Sequence, residues 1–169
     1  MTPGARISAA IEILDSMREG LAAEQALMRW ARNSRFAGSK DRAAVRDHVF
    51  DVLRQRRSAA HFGGGETGRA LMIGLLRMQG TDPAVLFNGE GHAPSVLTDD
   101  ELERPDMPTD KGVAWDLPDW LVPLFETSLD DRAESVAHAL QSRAPITLRV
   151  NTSKTDVAAA VAQLAAAGI

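Results

Sequence analysis

Apolar residues recur at helical spacing almost from the start of the chain. Ile7, Ala10, Ile11, Leu14 and Met17 share one helical face, Thr2 and Pro3 supply an N-cap and a first-turn proline, and the run stops at Gly20. The period resumes in "AAEQALMRWARNSR" with Ala23, Ala26, Leu27, Trp30 and Ala31, and the loop "FAGS" ends it. Ser39 is then a natural N-cap for a third helix, "SKDRAAVRDHVFDVLRQRR", whose Asp41 meets the positive end of the helix dipole. The glycines of "HFGGGETGR" argue against a regular element, and "ALMIGLLRMQG" is apolar enough to be a helix of the core.

Beyond this point the pattern weakens. Phe87 to Gly112 is polar, rich in glycine and proline, and acidic from Asp99 to Glu103, so it reads as an irregular connection. "WDLPDWLVPLFETSL" and "DDRAESVAHALQSR" predict two short helices, "ITLRVNT" alternates like a strand at Ile146, Leu148 and Val150, and "KTDVAAAVAQLAAAGI" predicts a helix with Gly168 at its C-cap. A lone strand has no partner to pair with, so the chain is expected to stop part-way through a second, mixed domain. The resulting division is a helical domain over 1–88, an irregular acidic linker over 89–114, and a helical connection with a truncated βα start over 115–169. The fold class is mainly α.

Charge changes this picture. The chain carries a formal net charge of -4, yet the window from Arg35 to Arg57 is +4, which leaves -8 on the rest. Such asymmetry points to a polyanionic partner. On a continuous helix Arg42, Arg46, Arg56 and Arg57 fall within roughly a 100° arc, with Asp41, Asp47 and Asp51 opposite. Phosphate binding needs that segregation, because several cations must reach one backbone together. Val49 and Leu53 share the arc, so salt bridging within the fold and a solvated face stand as alternatives. Arg35, Lys40 and Arg54 complete the window, and Arg69 and Arg77, on the next helix, extend the candidate phosphate-binding surface.

The remaining composition is that of an ordinary globular chain, with 44% hydrophobic and 25% charged residues. No signal peptide or membrane span is legible, which predicts a cytoplasmic protein. Cysteine is absent, and this excludes disulfides, thiolate metal sites and a cysteine nucleophile. Residues 63 to 70, "GGGETGRA", have the spacing of a phosphate-binding loop, but Arg69 replaces the lysine, Ala70 replaces the magnesium-binding hydroxyl, and no strand precedes them. His48, His61, His92 and His138 have no metal-ligand spacing. Trp115 and Trp120 flank "DLP" and suit the pinning of a short helix better than base stacking. No catalytic residue and no metal site is assigned.

"AEQALMRWARNSRFAGSKDRAAVRDHVFDVLRQRR", "DLPDWLVPLFE" and "APITLRVNTSKTDVAAAVAQLAAAGI" together resemble the N-terminal part of the RsmB/Sun/NOP-type RNA (cytosine-C5) methyltransferases. The resemblance implies a NusB-like helical RNA-binding domain, whole or incomplete, followed by the start of a small α/β region. A methyltransferase domain that binds S-adenosylmethionine would come next. Lys40, Asp41, Arg42 and Arg54 match the family's "kDR...vLR" pattern, and Arg149 and Asn151 its "lRvN" strand. The family's thiolate attack on C6 of cytosine, with methyl transfer to C5, uses cysteines that this chain lacks. The resemblance therefore implies a non-catalytic module that positions ribosomal RNA for a catalytic domain absent from these residues, with S-adenosylmethionine bound there. A stand-alone NusB-like protein-interaction or antitermination factor is the alternative. A third reading docks the basic helix on an acidic partner or on the chain's own "TDDELE" stretch.

Overall fold

The structure is a computed structural model and describes residues 1–168. The first helix, α1 (Pro3–Arg18), begins as its sequence predicts: Thr2 Oγ1 accepts from the Ala5 N–H at 3.2 Å. Gly20 leaves it at φ 108°, a conformation glycine adopts without steric cost. Helix α2 (Ala23–Asn33) follows, then α3 (Ser39–Arg54), whose N-cap is Gly38 and whose first residue is Ser39. Ile7, Ala10, Ile13 and Leu14 of α1, Trp30 of α2 and Val45, Val49 and Val52 of α3 meet in one core.

The arginine-rich helix is not continuous to Arg57. It breaks at Gln55 (φ -129°, ψ 36°), and α4 (Arg56–Gly63) begins beyond the break. The cause is distant in sequence. An unbroken helix would direct the Arg57 and Ser58 N–H groups to carbonyls of the preceding turn, but both donate instead to Asp116 Oδ1, at 2.8 and 2.9 Å. Asp116 thus caps α4 from another segment, and the single arc drawn through Arg42, Arg46, Arg56 and Arg57 does not exist.

The glycine run also differs from expectation, since α4 passes through His61 and Phe62 and ends at Gly63. Gly64, at φ 76°, turns the chain toward α5 (Gly68–Met78), capped by Thr67. Helices α4 and α5 are in backbone contact. A Cβ on Gly74 would stand 2.7 Å from the Ala59 carbonyl carbon and 2.9 Å from the Gly63 nitrogen, and one on Gly63 would strike the Ala70 carbonyl. The apolar helix is central, as predicted: Leu71, Met72, Ile73, Leu75 and Leu76 are all buried and pack on α1, α3 and α4.

Residues 89–114 are less irregular than a linker. They hold α6 (Asp99–Leu102), closed by a capping box between Thr98 and Glu101, and α7 (Lys111–Ala114), capped by Asp110. A second small core forms around Trp115, Leu117, Ala133 and Ala137, where α8 (Val122–Leu129) packs on α9 (Ala133–Leu140). Lys111 Nζ lies 5.4 Å from the Trp115 ring centre, while Trp120 is exposed. The final helix, α10 (Val157–Ala166), buries no residue.

Ile146 to Val150 forms no strand, and no strand occurs among the described residues. The alternation is present, but a strand is held by hydrogen bonds to a neighbour, and nothing in these residues supplies one. Ile146 and Leu148 are exposed accordingly. No helix among the described residues is long and apolar enough to cross a membrane.

Candidate nucleic-acid interface

Of the nine cations named from the sequence, Arg35, Lys40, Arg42 and Arg46 lie together where α2 turns into α3. Arg35 and Arg42 line a depression of about 410 Å³ with Met28, Ala31 and Arg32. Arg42 and Arg46 line an adjoining one of about 380 Å³ with Leu27, Trp30 and Glu24 among its walls. The turn between the helices is tied down from below: Arg42 donates from Nε to the Ala37 carbonyl at 2.9 Å and from Nη2 to the Ser34 carbonyl at 3.5 Å. The Ser34 carbonyl at the C-cap of α2 and the Ala37 carbonyl in the loop are thereby both held by α3.

Two acids of this region, Asp41 and Asp47, are already engaged. Asp41 accepts from the Met1 ammonium and from Arg6 Nε at 2.9 Å, and these hydrogen bonds hold its carboxyl below the ordinary value. Asp47 pairs with Arg46 at 3.1 Å. Among the described residues no carboxylate pairs with Arg29, Arg32, Arg35 or Lys40. Arg29 and Arg32 are absent from the nine residues named above. Their signal was present in "RWARNSR", where arginines recur every third residue, so that Arg29 and Arg32 share a face of α2 and Arg35 follows in the turn.

The other five cations have partners within the fold. Arg54 pairs with Asp51 at 2.5 Å, and Arg56 with Glu66 at 3.3 Å. Arg57 Nη1 donates to the Leu117 carbonyl and to Asp119 Oδ1, the latter at 2.6 Å, and its Nη2 lies 3.7 Å from Asp110. Beside it, Asp116 Oδ2 accepts from the buried Ser58 hydroxyl at 2.5 Å and from Gln141 Nε2 at 3.1 Å. Burial pushes the Asp116 carboxyl up, against the hydrogen bonds from Ser58 and Arg57 that pull it down. Arg57 and Asp116 together join the helical residues to the segment that starts at Leu117.

Arg69 and Arg77 face the acidic stretch. Arg69 grips the Glu101 carboxylate with two hydrogen bonds, at 2.7 and 2.8 Å, donates to the Val96 carbonyl at 3.0 Å, and lies 4.9 Å from the Phe87 ring centre. Arg77 donates to the Phe62 carbonyl at 2.5 Å and to the Glu101 carbonyl. The "TDDELE" stretch therefore docks on α5 and not on the arginine-rich helix.

This pair sets a pH dependence. The Arg69 hydrogen bonds hold Glu101 down at about 2, from an ordinary 4.5. A carboxylate depressed in the fold contributes stability that is complete above its unfolded value and lost as pH falls through the folded one. Urea midpoints measured from pH 5 to 2 are expected to fall across the window between about 4.5 and about 2. In Glu101→Gln the drop is shallower and stability at neutral pH is already lower; profiles of equal slope would contradict the assignment.

The remaining candidates resolve as structural. Gly63 and Gly68 serve helix packing, since a Cβ on Gly68 would meet the Ile11 carbonyl and stand 3.2 Å from Asp15. Close helix approach thus accounts for Gly63 and Gly68, whereas Gly64 serves the turn. His48 is half-buried, and burial lowers its pKa; His61 Nε2 lies 2.8 Å from the Asp106 carbonyl oxygen. Among the described residues no group of three or more His, Asp or Glu side chains is arranged to hold a metal ion. Arg149 is exposed, and Asn151 Oδ1 organises the turn before α10 by accepting from the Ser153 N–H and hydroxyl at 3.1 and 2.7 Å.

No curated protein and no solved structure matches the chain. Residues 117–169, which begin directly after the Asp116 cap, match the family model described as "Methyltr_RsmF/B-like, ferredoxin-like domain", and this part of the chain is accordingly similar to the corresponding region of RsmB/Sun-type ribosomal RNA methyltransferases.

Proposed function

We propose that the chain is a non-catalytic RNA-binding module of an S-adenosylmethionine-dependent ribosomal RNA cytosine-C5 methyltransferase, with residues 1–88 as its NusB-like part. The observation that carries this reading is the family match at 117–169, joined through Asp116 and Arg57 to a helical unit in which, among the described residues, Arg35 and Lys40 meet no carboxylate and Arg46 meets only its neighbour Asp47. A module held in this way would fix RNA relative to a catalytic domain. Thiolate chemistry is assigned to that domain because these residues include no cysteine. The working cations are Arg35, Lys40 and Arg46, with Arg42 acting chiefly on the turn between α2 and α3.

Binding to a ribosomal RNA fragment, titrated at several salt concentrations, tests the reading. Replacing Arg35, Lys40 and Arg46 by alanine removes three phosphate contacts and should lower the slope of log K against log salt by about 2 to 3. Circular dichroism should stay unchanged, since all three side chains are exposed. Equal slopes for the two proteins would remove the α2–α3 face from consideration. Absence of binding in both would reject the RNA-module reading.

A further inference from the structure

We propose that the α2–α3 turn is a binding site for single-stranded RNA, in which Phe36 stacks on an unpaired base while Arg35 and Lys40 hold the flanking phosphates. The inference rests on the RNA-module reading and adds to it the form of the RNA and the residue that selects it.

Phe36 is 76% exposed, although the residues on either side of its turn, Ser34 and Ala37, are buried at 7% and 4%. The ring is therefore not on a frayed end. Its turn is closed by the Ala37 N–H donating to the Ser34 carbonyl at 3.0 Å, and Arg42 secures both of those carbonyls from α3. A turn anchored at both sides presents the largest apolar side chain of "NSRFAGSK" to water, where folding gains nothing from it. Rigid display of an aromatic ring lowers the ordering cost of binding, because the ring is already in place.

The surroundings select the ligand. Arg35 adjoins the ring in sequence, Arg32 lies in the last turn of α2 before it, and Lys40 is in the first turn of α3 beyond it; among the described residues none of the three meets a carboxylate. An aromatic platform flanked by free cations is complementary to a strand whose bases alternate with phosphates. A duplex fits poorly, because its bases are already stacked and only its backbone is offered.

The full 169-residue chain would be titrated by fluorescence anisotropy with a labelled single-stranded RNA of about 12 nucleotides, within the usual site size, and with the same sequence as a duplex. Phe36→Ala should weaken single-strand binding about tenfold and leave duplex binding unchanged, while Phe36→Trp should retain or exceed wild-type affinity. If Phe36→Ala binds single strands as well as wild type but Arg35→Ala/Lys40→Ala does not, the stacking proposal fails and the RNA-module reading stands. If no protein binds either RNA, both fail. A labelled polyglutamate peptide of matched charge provides the last arm: binding as tight as RNA and equally dependent on Phe36 would assign the turn to an acidic protein and overturn the proposal.

Discussion

Gly74→Ala is expected to be among the most damaging single-methyl additions to the described residues. In an exposed helix the change would be favourable by about 1 kcal/mol, because alanine is the better helix former. Here the new Cβ would strike the Ala59 carbonyl and stand 2.9 Å from the Gly63 nitrogen. The obstacles are backbone atoms of α4, so no rotamer change relieves them. Helices α4 and α5 would have to separate, and the packing of Leu71 and Leu75 would open with them. A net loss of about 3 to 4 kcal/mol is expected, at the severe end of overpacking, which corresponds to a fall in Tm of about 10 °C for a chain of this size. Gly65→Ala is the control, since its Cβ would meet only the Ala70 side chain at 3.7 Å. Thermal unfolding of both variants decides the matter: similar Tm values would mean that α4 and α5 are not in backbone contact.

Asp116→Ala should give the second-largest loss, and for a different reason. One carboxylate caps α4 through the N–H groups of Arg57 and Ser58, accepts from the buried Ser58 hydroxyl, and holds Gln141 of the segment after α9. Removing a cap costs about 1 kcal/mol, and leaving a buried hydroxyl without its acceptor costs about 1 to 3 kcal/mol more. Asp116 also sits at φ 54°, a conformation that aspartate and asparagine tolerate better than alanine. We expect a total near 3 kcal/mol in urea unfolding, with Asp116→Asn losing roughly half of that because it keeps one acceptor oxygen. Limited proteolysis should cut first in the segment from Asp110 to Asp119, since Arg57 loses its alignment with Leu117 and Asp119 once α4 is uncapped. Loss below about 0.5 kcal/mol, the range of an ordinary surface substitution, would show that the joint is not held by Asp116.

The two predictions also explain the arginine-rich stretch. The seven cations between Arg35 and Arg57 are one feature in the sequence and two in the fold. Those at the start of α3 face water beside the α2 turn. Those after the break at Gln55 include Arg57, whose guanidinium is surrounded by Asp110, Leu117 and Asp119. Charge counting along a chain cannot single out Arg57, because the carboxylates that hold it lie more than fifty residues away.

By itself the sequence determined the helical character of the chain, the bounds of α1 and α2, the start of α3, the burial of the apolar helix α5, and the positive window in an acidic chain. These features are local: helical periodicity, caps and glycine stops act within a few residues. The capping box of "TDDE" and the arginine spacing of "RWARNSR" were equally local, and were legible in the same terms. Tertiary structure alone decided the break at Gln55, where Asp116 outcompetes the helix's own carbonyls, and the use of Gly63 and Gly68, where helices approach closely. It also turned Arg69 and Arg77 inward, toward Glu101. The alternation at Ile146, Leu148 and Val150 failed to become a strand for the complementary reason. A helix completes its hydrogen bonds within one segment, whereas a strand requires a neighbour that the described residues do not provide.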